Sequence, residues 1–344
     1  LSAIQTAIVK NGKLIHFDSY GSSDISENNE LKSDDIFRIA SMTKPIVSLA
    51  LMKLYEEGKF KLNDPVYKYI PEFKNLTVKK RKKTKPVKNH VKIIDLLRHS
   101  AGLNFKGPDD YRKVIDLSLE EYTKESIKSP LKFEPGTTWW YSYATDICGY
   151  LIEVLSQEKL DVFLKSRIFD PLEMNDTFFE LPNSKLDRLT TLYVVDENKE
   201  LVSFDNKTNT PFKDKVILLN GSGGLLSTTD DYLKFSFMLL NNGLYKEKQI
   251  VKKETLDLMK EDHSLGLKYK KLAFGKKKGF GLGFEVVKED GTKFGSKGTF
   301  GWGGMFGTYF RVDPKENMVF IYMTQSFETY KLKLADKFRA LVYE

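Results

Sequence analysis

The chain has 344 residues, of which 41% are hydrophobic and 13% aromatic, and its formal net charge is +8. This length and apolar fraction suffice for one large folding unit or two packed domains, and they argue against wholesale disorder. A single cysteine, Cys148, excludes an internal disulfide framework and a multi-cysteine metal site. The longest apolar run, Ile46 to Tyr55, is broken by polar residues and is too short for a transmembrane helix.

The positive charge comes mostly from lysine, which suits either a solvated surface or an anionic partner. One dense cluster occupies residues 79–92 and begins Lys79-Lys80-Arg81-Lys82-Lys83. It contains no Phe, Tyr or Trp that could stack on nucleic-acid bases. We interpret the other basic residues as spread along the chain. We therefore predict a mobile surface loop here and no nucleic-acid partner, with a weak contact to an anionic surface as the alternative.

The first residues already have the pattern of a β-hairpin. Alternating apolar residues at Ile4–Val9 and Leu14–Phe17 flank Asn11-Gly12, a sequence typical of a tight hairpin turn. The chain starts at Leu1 without a signal-peptide pattern. We expect that the numbered sequence lacks a native leader. This slightly favours an exported protein over a cytoplasmic one and leaves the compartment open.

The central part of the chain has mainly helical patterns. A short strand at 37–40 precedes a helix from Ser41 that is apolar on nearly every face and stops at Gly58, which predicts a buried helix. Residues 180–215 are polar and irregular, which predicts a long loop. Further helices are expected at 93–99, 145–156, 160–169, after 227–230 and at 331–342, and further strands at 280–287, 307–312 and 318–323.

Strands at both ends with helices between them predict an α/β (α+β) fold. We expect an antiparallel sheet built from both termini and flanked by helices, with an inserted, mostly helical domain. The predicted boundaries are 1–75 and 275–344 for the sheet domain and 76–274 for the helical domain. The active site is expected between the two.

The catalytic group is expected to be a serine activated by lysine. The sequence has no Gly-x-Ser-x-Gly motif, only four histidines and no His-x-x-x-His pair, which disfavours a Ser-His-Asp triad and a metal site. Ser41 and Lys44 have Ser-x-x-Lys spacing, which places both on one helix face. Ser129 and Ser156 also start such motifs, but only Ser41 opens a buried helix, where backbone amides favour developing negative charge.

Several segments, in order along essentially the whole chain, resemble the class C β-lactamase superfamily of bacterial penicillin-binding-protein-like hydrolases. The resemblance is to the carboxylesterase branch, often called family VIII esterases. Its segments include the nucleophile region from Phe37 to Ile46, a histidine-containing segment, a tyrosine motif, a Gly-Gly-Leu segment and a late Gly-Trp-Gly-Gly stretch, at 37–46, 95–103, 134–149, 223–232 and 300–308. Together these are far more specific than Ser-x-x-Lys alone.

The resemblance implies a role for each matching position. Ser41 would attack an ester or amide carbonyl and form an acyl-enzyme. Tyr141 would act as general base in its phenolate form, sustained by Lys44. The backbone amides of Ser41 and Met305 would form the oxyanion hole. His99 would be structural, and neither a cofactor nor a metal is implied.

Two departures from the β-lactamase pattern bear on the substrate. Tyr143 stands where β-lactamases carry asparagine, and Trp302 stands where they carry the lysine of Lys-Thr-Gly. Both changes weaken β-lactam recognition, so an esterase with a small-molecule ester or amide substrate fits better. Trp139 is expected in the same apolar pocket. The expected substrate-binding residues are Tyr143, Trp302, Gly303, Gly304, Trp140 and Phe306.

Other activities remain open within the same resemblance. A β-lactamase, a D-amino-acid peptidase or amidase and an acyltransferase would use the same acyl-enzyme, because one fold supports many reactions. A catalytically silent scaffold or binding protein is the alternative of a different class. Such a protein would be expected to lack one of Ser41, Lys44 and Tyr141, and all three are present.

Overall fold

The computed structural model describes residues 2–103, 114–269, 277–290, 295–328 and 332–344. An eight-stranded sheet joins the two ends of the chain, in the order β14-β15-β16-β17-β18-β1-β2-β3. Its strands are Lys278–Phe280 (β14), Glu285–Val287 (β15), Phe300–Gly303 (β16), Tyr309–Asp313 (β17), Met318–Thr324 (β18), Ala3–Lys10 (β1), Lys13–Asp24 (β2) and Asn29–Glu30 (β3).

The first and last strands of the chain form an antiparallel pair in the interior of this sheet. Ala7 pairs with Ile321 and Val9 with Val319, and all seven residues of β18 are buried. A strand buried on both faces needs a continuous apolar run, and Met318–Thr324 supplies one. The prediction of an antiparallel sheet from both termini is therefore confirmed.

Nine α-helices lie in the described part of the chain. Their bounds are Thr43–Glu56 (α1), Ile93–Leu97 (α2), Leu119–Ser126 (α3), Ala144–Ser156 (α4), Leu160–Leu164 (α5), Asp170–Leu172 (α6), Thr229–Leu240 (α7), Lys253–Lys260 (α8) and Leu334–Val342 (α9). In the part of the chain that the structure describes, no helix is long and apolar enough to cross a membrane. Position 331, where the last helix was expected to begin, lies outside the described residues.

Helix α1 is buried along almost its whole length, as its apolar pattern predicts. It begins at Thr43, after a 3₁₀ turn at Ala40–Met42, and it packs against α4. Helix α7 packs against β17 and β18 although it lies inside the predicted helical domain. The division at 75/76 stays a prediction, and the 274/275 boundary falls outside the described residues.

The remaining short strands form hairpins and two-strand pairs away from the large sheet. They are Phe37–Arg38 (β4), Thr77–Lys80 (β5), Lys83–Pro86 (β6), Thr138–Trp139 (β7), Leu192–Val195 (β8), Leu201–Asp205 (β9), Leu226–Ser227 (β10), Leu244–Tyr245 (β11), Lys248–Gln249 (β12) and Lys268–Tyr269 (β13). Strand β4 pairs with β10, β5 with β6, and β8 with β9.

Three sequence predictions are wrong at this level. The lysine-rich segment forms the ordered β5–β6 hairpin up to Pro86 rather than a loop, because Val78 is buried and anchors it. The stretch 180–215 contains the β8–β9 hairpin and a 3₁₀ turn at Asn183–Arg188. The single strand expected at 280–287 is instead part of a hairpin, since Gly283, with φ +96°, reverses the chain between β14 and β15.

Candidate active site

The nucleophile candidate Ser41 lies in the 3₁₀ turn between β4 and α1. Ala40 before it has φ +45°, a left-handed conformation that costs energy in a non-glycine residue. Such strain persists only where surrounding contacts fix the chain, and Tyr232 Oη donates a hydrogen bond to the Met42 carbonyl at 2.8 Å. Thr308 Oγ1 donates to the Ile39 carbonyl at 3.1 Å from the other side. The turn is therefore held on both flanks.

Lys44 follows Ser41 by one helical turn and lies against it. Its Nζ donates to Ser41 Oγ at 3.3 Å and to the Ser222 carbonyl at 2.6 Å. The Lys44 side chain is buried, with 5% of its surface exposed. The same Nζ stands 4.6 Å from the centre of the Tyr141 ring. The structure thus brings the predicted Ser41, Lys44 and Tyr141 together.

Tyr141 is positioned by an aromatic cluster. It follows β7, and its ring packs 4.8 Å from His99 and 5.4 Å from Trp302, centre to centre. Trp302 Nε1 donates a hydrogen bond to Tyr141 Oη at 3.3 Å. Trp302 therefore orients the phenol as well as lining the cavity.

His99 lies behind Tyr141 and is buried, with 1% of its surface exposed. Burial, with a smaller contribution from the Lys44 charge, holds the pKa of His99 well below its usual range. The imidazole is therefore neutral at pH 7. The backbone carbonyl of His99 accepts a hydrogen bond from the Trp140 N–H. This bond links the segment that contains His99 to the segment that contains Tyr141.

Ser41, Lys44 and Tyr141 line a cavity of about 610 Å³. Tyr143, Trp302, Gly303, Met305 and Phe306 line it, as the sequence predicts. Its further lining, which the sequence did not predict, comes from Arg38, Ala40, Leu192, Phe204, Asp205, Pro211, Phe212, Asn220, Ser222 and Gly223.

Three predicted pocket residues lie elsewhere in the described structure. Trp140 does not line the cavity; its ring lies 3.9 Å from Lys132 Nζ. Trp139 is buried in the cluster behind Tyr141. Gly304 packs on the nucleophile turn, where a Cβ atom would come within 2.3 Å of the Ile39 carbonyl oxygen. Its missing side chain thus permits a close approach between β16 and that turn.

Arg38 and Asp205 form a buried ion pair in the cavity wall. Arg38 Nε and Nη2 donate to the two carboxylate oxygens of Asp205 at 2.7 and 2.5 Å. Arg38 also donates to the Thr190 carbonyl, and it exchanges hydrogen bonds with Gln325. The pair fastens the β8–β9 hairpin to the strand before Ser41. A charged residue inside the apolar run 36–40 was the only sequence signal, because buried arginines need a partner.

Asp146 is a second polar group that sequence reasoning missed. It is fully buried in the first turn of α4, and its Oδ1 accepts the Ser222 N–H at 2.8 Å. The Ser222 carbonyl in turn accepts a hydrogen bond from Lys44 Nζ. Burial raises the pKa of Asp146 to about 6, although the Lys44 charge and the hydrogen bonds from Ser222 lower it. Asp146 therefore helps to fix the peptide that holds Lys44.

Comparison with known proteins places this site in a family. The model of the Beta-lactamase family matches residues 2–344. An uncharacterized protein of Mycobacterium tuberculosis is 30% identical, over 94% of this chain and 86% of its own length. Esterase EstB of Burkholderia gladioli is 29% identical over 50% of this chain and 45% of its own length.

Solved structures agree with the family at the level of the fold. EstCE1, described as a hydrolase with promiscuous acyltransferase activity, superimposes with a TM-score of 0.79 at 23% identity, covering 98% of this chain and 93% of EstCE1. Simvastatin synthase of Aspergillus terreus gives a TM-score of 0.81 at 20% identity, covering 100% of this chain and 94% of the synthase. The chain therefore belongs to the beta-lactamase family and is a serine hydrolase.

Proposed function

We propose that this serine hydrolase cleaves uncharged carboxylic esters through an acyl-enzyme on Ser41. The observation that carries the proposal is the charge inventory of the cavity. Among the described residues that line it, the only cationic side chains are Lys44 and Arg38. Lys44 is held by Ser41 and Ser222, and Arg38 by Asp205. Neither is placed to receive a substrate carboxylate, whose burial without a partner would be costly.

In the proposed reaction, Ser41 Oγ attacks the ester carbonyl and passes its proton to the Lys44–Tyr141 pair. The 3.3 Å contact between Lys44 Nζ and Ser41 Oγ supports this route. The pair then gives the proton to the leaving alkoxide, and the acyl group stays on Ser41. In the second half, water attacks the acyl-enzyme and gives a proton to Tyr141, which passes it to the departing Ser41 Oγ as the acid is released.

The oxyanion of each tetrahedral intermediate is assigned to the backbone N–H groups of Ser41 and Met305. Met305 lines the cavity from a turn in which the Gly307 N–H donates to the Gly304 carbonyl at 3.0 Å. Preorganised amides of this kind are worth about 100- to 1,000-fold in kcat. Phe204, Phe212, Trp302 and Phe306 would contact the acyl or alkyl part of the substrate.

A matched pair of esters tests the proposal: p-nitrophenyl butyrate and its anionic counterpart, mono-p-nitrophenyl succinate. We expect kcat/KM for the neutral ester to be at least about tenfold higher, because the cavity offers the carboxylate no cation. Ser41→Ala should abolish turnover of both. Equal or better use of the anionic ester would contradict the proposed charge selectivity.

The same assay separates the remaining activities. A chromogenic cephalosporin should be cleaved far more slowly than the butyrate ester, and comparable efficiency would indicate a β-lactamase instead. Ser41-dependent transfer of the butyryl group to an added alcohol, faster than hydrolysis, would indicate an acyltransferase. Turnover confined to D-amino-acid amides would indicate a peptidase.

A further inference from the structure

The net positive charge of the protein resides in one short segment. Residues 79–92, here called the cationic segment, contain seven lysines and one arginine and no Asp or Glu. Removing these eight cations from the 55 of the chain leaves 47, which equals the number of acidic residues in the whole sequence. The other 330 residues are therefore formally neutral. The remaining basic residues, spread along the chain, are balanced by an equal number of acidic ones.

The structure places six of these eight cations on an exposed β-hairpin, and Lys88 and Lys92 follow it along the chain. In the β5–β6 pair Lys79 faces Thr84 and Lys80 faces Lys83, and every cationic side chain of the segment is exposed. Within the described residues none of the eight forms an ion pair, whereas lysines elsewhere, such as Lys124, do. Like charges directly opposite on paired strands repel, so the free hairpin carries an electrostatic cost that an anionic surface would relieve.

The hairpin is attached firmly to the body of the protein. Val78 is buried at its base, with 3% of its surface exposed, and it bridges Leu131. The Lys79 N–H donates to the Leu131 carbonyl at 2.8 Å, and the Leu131 N–H donates to the Thr77 carbonyl at 2.7 Å. The cations thus project from an ordered ribbon, so binding does not have to order a flexible loop.

We propose that the cationic segment docks the protein on an anionic lipid bilayer. Seven of the eight cations are lysines, whose compact, hydrated charges suit a diffuse negative surface better than bidentate contacts to individual phosphates or bases. The segment has no Phe, Tyr or Trp for stacking on nucleic-acid bases. It presents no exposed large apolar side chain for insertion, so the docking is electrostatic and reversible by salt.

The experiment compares two variants of equal charge in vesicle sedimentation. One changes five cations of the hairpin to glutamine, at Lys79, Lys80, Arg81, Lys82 and Lys83. The matched control changes five exposed lysines on the body, at Lys13, Lys59, Lys61, Lys199 and Lys252. Each variant lowers the formal net charge from +8 to +3. Turnover of p-nitrophenyl acetate, a water-soluble ester, checks that both variants fold.

Vesicles of phosphatidylcholine with about 30% phosphatidylglycerol should bind the wild type and the body variant alike. The hairpin variant should bind at least about 100-fold more weakly, since each cation near such a surface strengthens binding about fivefold. Raising NaCl from about 50 to about 500 mM should release the wild type, because salt screens exposed charges.

Three results would overturn the proposal. The first is equal loss of binding in both variants, which would make net charge alone responsible. The second is equal binding of the wild type to vesicles of pure phosphatidylcholine, which would exclude headgroup charge. The third is tighter binding to duplex DNA than to the anionic vesicles under the same salt, which would assign the segment to a nucleic acid.

Discussion

The active-site cavity and the cationic segment surround their basic side chains in opposite ways. In the cavity, Lys44 and Arg38 are buried. Lys44 donates a hydrogen bond to the Ser222 carbonyl, and Arg38 forms an ion pair with the Asp205 carboxylate. On the β5–β6 hairpin the cations are exposed, and no ion pair holds them within the described residues. The surroundings of a basic residue, rather than its type, decide whether it can take part in chemistry, stability or binding.

The largest effect is expected from removing Lys44, the buried cation that we propose takes part in proton transfer. Lys44→Met keeps the length and apolar stem of the side chain but cannot move a proton or contact Ser41 Oγ. We expect kcat/KM for p-nitrophenyl butyrate to fall at least about 1,000-fold. Lys82→Met on the hairpin is the matched control and should leave kcat/KM unchanged. An activity within tenfold of wild type in Lys44→Met would rule out its proposed role.

The next largest effect is expected from removing the ion-pair partner of Arg38, the other buried cation of the cavity. Asp205→Ala leaves the Arg38 guanidinium buried without its carboxylate, and we expect a loss of about 3–5 kcal/mol in the free energy of unfolding. Glu316→Ala removes the partner of Lys10 in an exposed pair and should cost at most about 1 kcal/mol. Urea unfolding measures both. Equal losses in the two variants would mean that the Arg38–Asp205 pair does not anchor the β8–β9 hairpin.

A third prediction uses the pH dependence of the buried carboxyl group beside Lys44. Because the pKa of Asp146 is raised from 3.8 to about 6 by burial, the folded state loses stability relative to the unfolded chain as pH rises from about 4 to about 6. Asp146→Asn keeps an oxygen for the Ser222 N–H but removes this titration. The variant should therefore gain stability relative to wild type over that window, by up to about 3 kcal/mol.

Unfolding free energies of both proteins at about pH 4, 5, 6 and 7.5 check this expectation. The gain of Asp146→Asn should be smallest at the lowest pH and constant above the pKa of the wild-type group. Parallel stability curves across the range would show that the buried carboxyl group does not titrate there.

The smallest effect is expected on the hairpin itself. Lys83→Glu replaces the cation opposite Lys80 with an anion, so a repulsive cross-strand pair becomes attractive. We expect a gain of about 0.2–1 kcal/mol in unfolding free energy at low salt, shrinking as salt screens the pair. Lys83→Gln removes only the repulsion, so its unfolding free energy should lie between those of the wild type and Lys83→Glu. A destabilised Lys83→Glu would show that the opposed lysines carry no electrostatic cost.

Local patterns in the sequence were enough to predict much of this molecule. Alternating apolar residues in the first and last strands predict a sheet from both termini, since the two-residue period of a strand is written in neighbouring positions. The apolar stretch after Ser41 predicts a buried helix for the same reason. Ser-x-x-Lys spacing also places Lys44 beside Ser41, because residues three apart share a helix face.

The tertiary structure alone decided what depends on distant partners. Arg38 and Asp205 are 167 positions apart, and no local pattern joins them. The β5–β6 hairpin has no Asn-Gly turn signal and is rich in lysine, so only the buried Val78 and its pairing with Leu131 reveal it. Trp140 was expected in the pocket but points elsewhere, because adjacent residues in an extended segment face opposite sides. Side-chain direction and long-range pairing are properties of the packed chain, and one-dimensional spacing does not encode them.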